Sequence, residues 1–297
     1  MKKPIVEGIV ERCFTKKQTS HAELIIDNRA GHGEGPVWDA DFLYWVDLTA
    51  CRLHSWKPGA GKVRDYQFQE PVCAVAPVAD GRLLIAFAKR LAYVNLANLS
   101  IEEICKVEPE ITGNRCNDGK MDPAGRFWIG TMSDDGSVEG AGALYRLDEG
   151  GRLTRVLDHL TVSNGMGWSH DSQTMYFIDS PMREIWAFDF DSTDSSIRNR
   201  RTVVRVPDDL GVPDGMTVGT DGTLWVAHWG AGCVCQWGPK SGLLLQRVDT
   251  GCPHTSSCCF SAEGHLYITT SRLGLDAVAL AAHPRSGGLY RHNHTSK

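Results

Sequence analysis

Residues 115–132 read Arg115-Cys116-Asn117-Asp118-Gly119-Lys120-Met121-Asp122-Pro123-Ala124-Gly125-Arg126-Phe127-Trp128-Ile129-Gly130-Thr131-Met132. A polar cluster leads into a short strand, Asp122-Pro123-Ala124-Gly125 supplies a tight turn, and an apolar strand follows. This is a β-hairpin with its chemistry at the open end.

The layout recurs. The aromatic or apolar centres of the second strands are Tyr44, Leu84, Trp128, Tyr176, Trp225 and Tyr267, at successive spacings of 40, 44, 48, 49 and 42. Each hairpin is followed by a third strand, and the first five also by a fourth, such as Val63 to Phe68 and Leu244 to Asp249. The sixth unit runs out of chain before its fourth strand. A spare strand, Ala22 to Asp27, stands at the other end of the sequence and is expected to pair with the last unit and remove the exposed edges. Four strands in about 40 to 50 residues is the period of a propeller blade. The expected fold is therefore all-β: a six-bladed β-propeller with four antiparallel strands per blade, closed by an N-terminal strand, in one domain over residues 21–297. A seven-bladed ring of the WD type is disfavoured, because six units fit and no Gly-His to Trp-Asp pair punctuates them. Residues 1–20 read as a loose extension, and Leu275 to Ala282 as a turn or two of helix in a loop.

Bulk properties narrow the function. A chain of 297 residues with net charge -5 and no Lys/Arg cluster is not expected to bind nucleic acid. The first twenty residues scatter Lys2, Lys3, Glu7, Glu11, Arg12, Lys16 and Lys17 without a long apolar core, so neither signal peptide nor membrane span is expected there. The ten cysteines are irregularly placed, mostly inside strands, and lack C-x-x-C spacing, which favours buried thiols and a cytoplasmic protein over disulfides. Oligomeric state is not legible.

Counting back from each blade centre to the start of its first strand locates the site. Ten residues before Tyr44 is Glu34, eleven before Trp128 is Asn117, twelve before Tyr176 is Asn164, and eleven before Trp225 is Asp214. All four are oxygen donors, and one phase of a ring repeat places them at one end of a central channel. At the same phase the other two blades offer Cys73 and Ser256. Two carboxylates and two amides without His or Cys suit a hard divalent cation such as Ca²⁺, Mg²⁺ or Mn²⁺. The competing reading makes Asn164-Gly165, Asp214-Gly215 and Asp118-Gly119 hairpin turns. It is weaker, because each unit already has its turn further on. Trp38, Trp45, Trp128, Trp168, Trp225 and Trp229 read as packing between blades rather than sugar-stacking platforms, His32 as loop, and His292-Asn293-His294 as a frayed tail.

The segments Gly33-Glu34-Gly35-Pro36-Val37-Trp38, 115–132, Ser163-Asn164-Gly165, Pro213-Asp214-Gly215-Met216 and Gly287-Gly288-Leu289-Tyr290 occur in this order. With them the chain, over roughly residues 22–292, resembles the SMP-30/gluconolactonase family, which includes regucalcin and the bacterial sugar lactonases. The resemblance implies that Glu34, Asn164 and Asp214 hold one divalent cation, with Asn117 beside it touching metal or substrate. It implies that Arg115 contacts substrate hydroxyls or carboxylate. Asp135 sits where some relatives place an acidic substrate contact. The cation set widens to Zn²⁺ and Fe²⁺, since some relatives use iron(II). The implied activity is hydrolysis of a sugar lactone to its aldonic acid, with Asp214 as general base or as ligand only. Hydrolysis of organophosphate esters at the same site, or calcium binding without turnover, are the alternatives.

Overall fold

A computed structural model describes residues 19–294. The chain enters through β1 (Thr19–His21) and β2 (Glu23–Ile26) and then lays down blade after blade. Blade one is β3 (Gly33–Asp39), β4 (Phe42–Asp47), β5 (Arg52–Trp56) and β6 (Arg64–Gln67). Blade two is β7 (Val72–Pro77), β8 (Leu83–Phe87), β9 (Arg90–Asn95) and β10 (Ser100–Lys106). Blade three is β11 (Asn114–Met121), β12 (Phe127–Ser133), β13 (Gly142–Leu147) and β14 (Leu153–Leu160). Blade four is β15 (Ser163–Trp168), β16 (Thr174–Asp179), β17 (Glu184–Asp191) and β18 (Ser196–Arg205). Blade five is β19 (Val212–Val218), β20 (Leu224–Trp229), β21 (Cys233–Trp237) and β22 (Leu244–Asp249). Blade six takes β23 (Thr255–Phe260), β24 (Leu266–Thr270) and β25 (Leu289–His292), with β2 as its outer strand.

The molecule is a six-bladed β-propeller. Each first strand packs on the first strand of the next blade, and β23 returns to β3, so the ring is closed. The closure is the expected one: β2 pairs antiparallel with β25, Glu23 opposite Arg291 and Leu24 opposite Tyr290. Of the 1–20 extension, residues 1–18 lie outside the described residues, while Thr19 and Ser20 belong to β1. That strand adds in parallel to the outer edge of blade five, Thr19 against Arg247 and His21 against Asp249. A three-residue Thr-Ser-His strand has no periodicity for a sequence reading to find.

A propeller has no single core. Apolar residues instead form a cluster between each pair of consecutive blades, for example Val46, Leu53, Ile85 and Phe87 between blades one and two, and Trp128, Phe177 and Phe188 between three and four. Trp45, Trp128, Trp168 and Trp225 are buried in these seams as expected. The tight turns are set by sequence. In blades two to five an aspartate, Asp80, Asp122, Asp171 or Asp221, accepts from the backbone N–H two residues on and pins the first hairpin. Helix α1 (Ala277–Ala282) is capped by the Asp276 carboxylate, which accepts from Ala279 N at 2.8 Å. The nine cysteines among the described residues are free thiols. No helix among the described residues is long and apolar enough to cross a membrane. His292-Asn293-His294 is not frayed: His292 ends β25, and the His294 ring packs 4.9 Å from that of Trp225.

Candidate functional site

Every first strand breaks its register at the same height. The pairing slips after Glu34 in β3, after Val72 in β7, after Cys116 in β11, after Ser163 in β15, after Pro213 in β19 and after Thr255 in β23. A β-bulge leaves residues unpaired and re-aims their side chains. The residues so released are Cys73, Asn117 with Asp118, Asn164, Asp214 and Ser256, with Glu34 immediately before its own bulge. Phase counting found one of these positions in each blade because the bulge is part of the repeat.

The bulges also dispose of the turn reading. Gly119, Gly165 and Gly215 lie within strands β11, β15 and β19. They are glycines because a side chain has no room: at Gly165 and Gly215 the inner strand of the next blade closes in, and at Gly119 residues Phe127, Trp128 and Ile129 of its own hairpin do. A Cβ on Gly165 would lie 2.4 Å from the Asp214 carbonyl oxygen, and one on Gly215 2.1 Å from Ser257 Oγ. Only Gly35 combines this place with a left-handed backbone, at φ +50°.

Asn117, Asn164 and Asp214 make hydrogen bonds across blades, whereas the Glu34 carboxylate accepts from the N–H of its own neighbour Gly35 at 2.9 Å. Asn164 Nδ2 donates to Asp214 Oδ1 at 2.5 Å and to Ser180 Oγ at 3.1 Å. Asn117 Nδ2 donates to the Ser163 carbonyl at 2.9 Å, and its Oδ1 accepts from Arg115 Nη1 at 2.9 Å. Arg115 is further held by the carbonyls of Cys116 (2.9 Å) and Asp134 (3.2 Å). Three buried side chains brace the strand entrances. Asp47 accepts from Gly31 N and His32 N ahead of Glu34. Asp179 accepts from Thr161 N and Val162 N ahead of Asn164. The buried His228 ring bonds Leu210 O at 2.8 Å through Nδ1 and meets Trp237 Nε1 at 3.2 Å, and its pKa is pushed down to about 4 by burial, so it is neutral. It anchors the loop that delivers Asp214.

Asp135 is not brought into this cluster. It is exposed, and its carboxylate accepts from Ser137 N at 3.0 Å and Ser137 Oγ at 2.7 Å, folding back on its own loop. Of that loop it is the Asp134 carbonyl that meets Arg115. Sequence reasoning missed Asp118, the second residue of the blade-three bulge, whose charge acts on both Glu34 and Asp214. The signal was its place beside Asn117, but a count of one residue per blade passes over it.

Burial raises the carboxyls of Glu34 and Asp214 well above the ordinary range. For Glu34 the negative fields of Asp214 and Asp118 add to burial; for Asp214 the Asn164 hydrogen bond opposes it while Asp118 adds. Asp118 is raised by burial too, against Lys120 and the Gly119 N–H. Arg115 is the cation opposing both Glu34 and Asp214. Asp214, buried, and Glu34 and Asp118, half-buried, thus face Arg115 and Lys120, three carboxyls against two cations, an excess that a bound cation would balance. Among the described residues no three His, Cys, Asp or Glu side chains converge in ready-made metal geometry. The available set of two carboxylates and two amide oxygens nonetheless fits a hard divalent cation, which takes amide as readily as carboxylate oxygen. At the remaining two blades Cys73 is an uncharged thiol, pushed up to about 12 by burial and touched by Arg115, and Ser256 Oγ donates to Gly33 O at 2.6 Å.

Over most of its length the chain is similar to known proteins. The family model described as SMP-30/Gluconolactonase/LRE-like region matches residues 32–272. Regucalcin from Danio rerio is 38% identical over 275 residues, covering 91% of this chain and 92% of that protein. Among solved structures, a luciferin-regenerating enzyme is 31% identical with a TM-score of 0.85, covering 91% of this chain and 94% of that one. A gluconolactonase from Xanthomonas campestris is 26% identical with a TM-score of 0.71, covering 91% and 89%.

Proposed function

The chain belongs to the SMP-30/gluconolactonase/LRE-like family, and from that premise we propose that it is a divalent-cation-dependent lactonase opening a sugar lactone to its aldonic acid. One observation carries the reading: bulges on four blades bring Glu34, Asn117, Asn164 and Asp214 to one height of the channel, with Arg115 bonded to Asn117 at the same mouth.

Glu34, Asn164 and Asp214, with Asn117 beside them, would hold the cation. When bound, a divalent cation polarises an ester carbonyl and stabilises the oxyanion, an effect worth several kcal/mol of barrier. The chain supplies the rest. Asp214, buried and short of positive partners, takes the proton of the attacking water as general base, worth roughly 10²- to 10⁴-fold. Arg115, its Nε and Nη1 fixed by the Asp134 and Cys116 carbonyls and Asn117 Oδ1, has Nη2 left to donate to substrate hydroxyls or a carbonyl. Asn117 links that guanidinium to the donor cluster, so the polyol and the scissile carbonyl are oriented together. Asp135 has no part in this reading.

The test is acid release from D-xylono-, L-arabinono- and D-gluconolactone, followed with a pH indicator. Chelator-stripped protein with single metals restored is compared with Asp214→Asn, and a phosphotriester serves as the competing substrate. Metal-dependent lactone opening that collapses in the variant is expected. If no lactone opens faster than the metal-containing blank, the reading fails. Phosphotriester turnover would then assign an organophosphate hydrolase, and metal affinity without turnover a cation-binding protein.

A further inference from the structure

The channel mouth has a second tier. Side chains alternate along a strand, so the residue two before each site residue shares its side. Around the ring these are His32, Pro71, Arg115, Val162, Val212 and His254. Arg115 stands on blade three, and in a ring of six the blade facing it across the channel is blade six, which carries His254. There the mouth is aromatic. The rings of His254 and Trp229 are stacked, with centroids 4.0 Å apart and planes 13° from parallel. His32 of blade one meets Trp229 edge-on at 5.6 Å. Single backbone bridges tie the parts together, Trp229 to His254 and His32 to Ser271, so the rings of blades five, six and one form a fixed wall.

This wall differs from the packed tryptophans. Trp229 and His254 are partly exposed, whereas Trp45, Trp128 and Trp225 are fully buried. The imidazoles are oriented by hydrogen bonds, His32 Nδ1 to Ser271 Oγ and His254 Nδ1 to Leu273 O, each at 2.9 Å. His32 is buried and His254 half-buried. The mouth is thus polar on the Arg115 side and aromatic on the other.

We propose that the stacked Trp229–His254 pair, backed by His32, is a substrate subsite that receives the C–H face of the lactone ring while Arg115 holds its hydroxyls, and so selects sugar lactones by the apolar face they present. This rests on the lactonase reading above. A pre-oriented aromatic surface contributes area at little entropic cost, and a polar group facing it sets orientation.

The experiment uses Ca²⁺-loaded protein and D-gluconolactam, a hydrolysis-resistant analogue, as the binding probe. Calorimetry of the lactam is run beside D-gluconolactone kinetics for wild type, Trp229→Ala, Trp229→Phe and His254→Ala. Trp229→Ala is expected to weaken lactam binding and raise KM by about three- to ten-fold with kcat little changed. Trp229→Phe should recover most of this, and His254→Ala should shift both in the same direction by less. Ca²⁺ affinity, titrated with the metal alone, should not move. Unchanged lactam affinity in both alanine variants overturns the subsite, as does a loss appearing only in kcat or in Ca²⁺ affinity. The failures are separable: a wild type that binds lactam but opens no lactone defeats the hydrolase and leaves the subsite tested by calorimetry. A wild type that does neither defeats both.

Discussion

Blades two and five make the same bulge at the same height of the same channel, one releasing Cys73 and the other Asp214. Burial acts on both in the same sense, raising the thiol and the carboxyl alike. The consequence is opposite: the thiol stays neutral at little cost, whereas a buried carboxyl asks for positive charge or a proton. The surroundings follow suit. After the bulge residue blade two has Ala74, but blade five has Gly215, with Ser257 pressed against it. The register position that holds Phe87 in blade two holds the bracing Asp47 in blade one and Asp179 in blade four. The propeller repeats a geometry, and single residues decide which blades carry chemistry.

The largest effect is expected at the charged member of the pair. Asp214→Asn keeps the shape and removes the carboxylate, and lactone turnover with restored metal should fall by at least about 10². A variant retaining parental turnover would reduce blade five to the status of blade two. Next comes backbone proximity. Gly215→Ala would place a methyl 2.1 Å from Ser257 Oγ, costing about 1–3 kcal/mol and lowering Tm by roughly 2–4 °C for each. The reverse change in blade two, Ala74→Gly, should cost under about 1 kcal/mol. Equal losses in a thermal melt would show that the two bulges are equally crowded.

A third, smaller effect is pH-dependent. Burial raises the Asp47 carboxyl, but hydrogen bonds from the His32, Gly31 and Ala50 N–H groups and the Thr49 hydroxyl outweigh it, leaving its pKa below the ordinary value. A carboxyl lowered on folding contributes stability that is complete above its unfolded pKa of about 3.9 and is lost as pH falls through the folded value. The stability gap between wild type and Asp47→Asn in urea should therefore be widest near neutrality and close on acidification below that range; a gap independent of pH would refute the charge-based role. Least of all is expected from Cys73→Ser, which should leave lactone turnover at the parent's level. A marked loss would mean that blade two takes part through its contact with Arg115.

Much of this site was legible because a propeller writes its tertiary geometry as a period. Six aromatic or apolar centres at near-even spacing carried the blade count, and the phase of Glu34, Asn117, Asn164 and Asp214 carried their convergence. Asp118 escaped because a bulge releases neighbours that a one-per-blade count cannot see. Asp135 was placed by resemblance, and its side chain instead satisfies the turn at Ser137. Trp229 was read with the tryptophans packed between blades, because its stack on His254 is a contact between blades that leaves no mark along the chain.

The sequence by itself determined the number of blades, the strand that closes them, the places of the hairpin turns and the common phase of Glu34, Asn117, Asn164 and Asp214, all of which follow from local pattern repeated at fixed intervals. Only the tertiary structure decided that the glycines after Asn164 and Asp214 serve strand approach rather than turns, that β1 lies along blade five, and that Trp229 and His254 stand across the channel from Arg115. Those features depend on which strands meet when the ring closes, and contacts between blades leave no period along the chain.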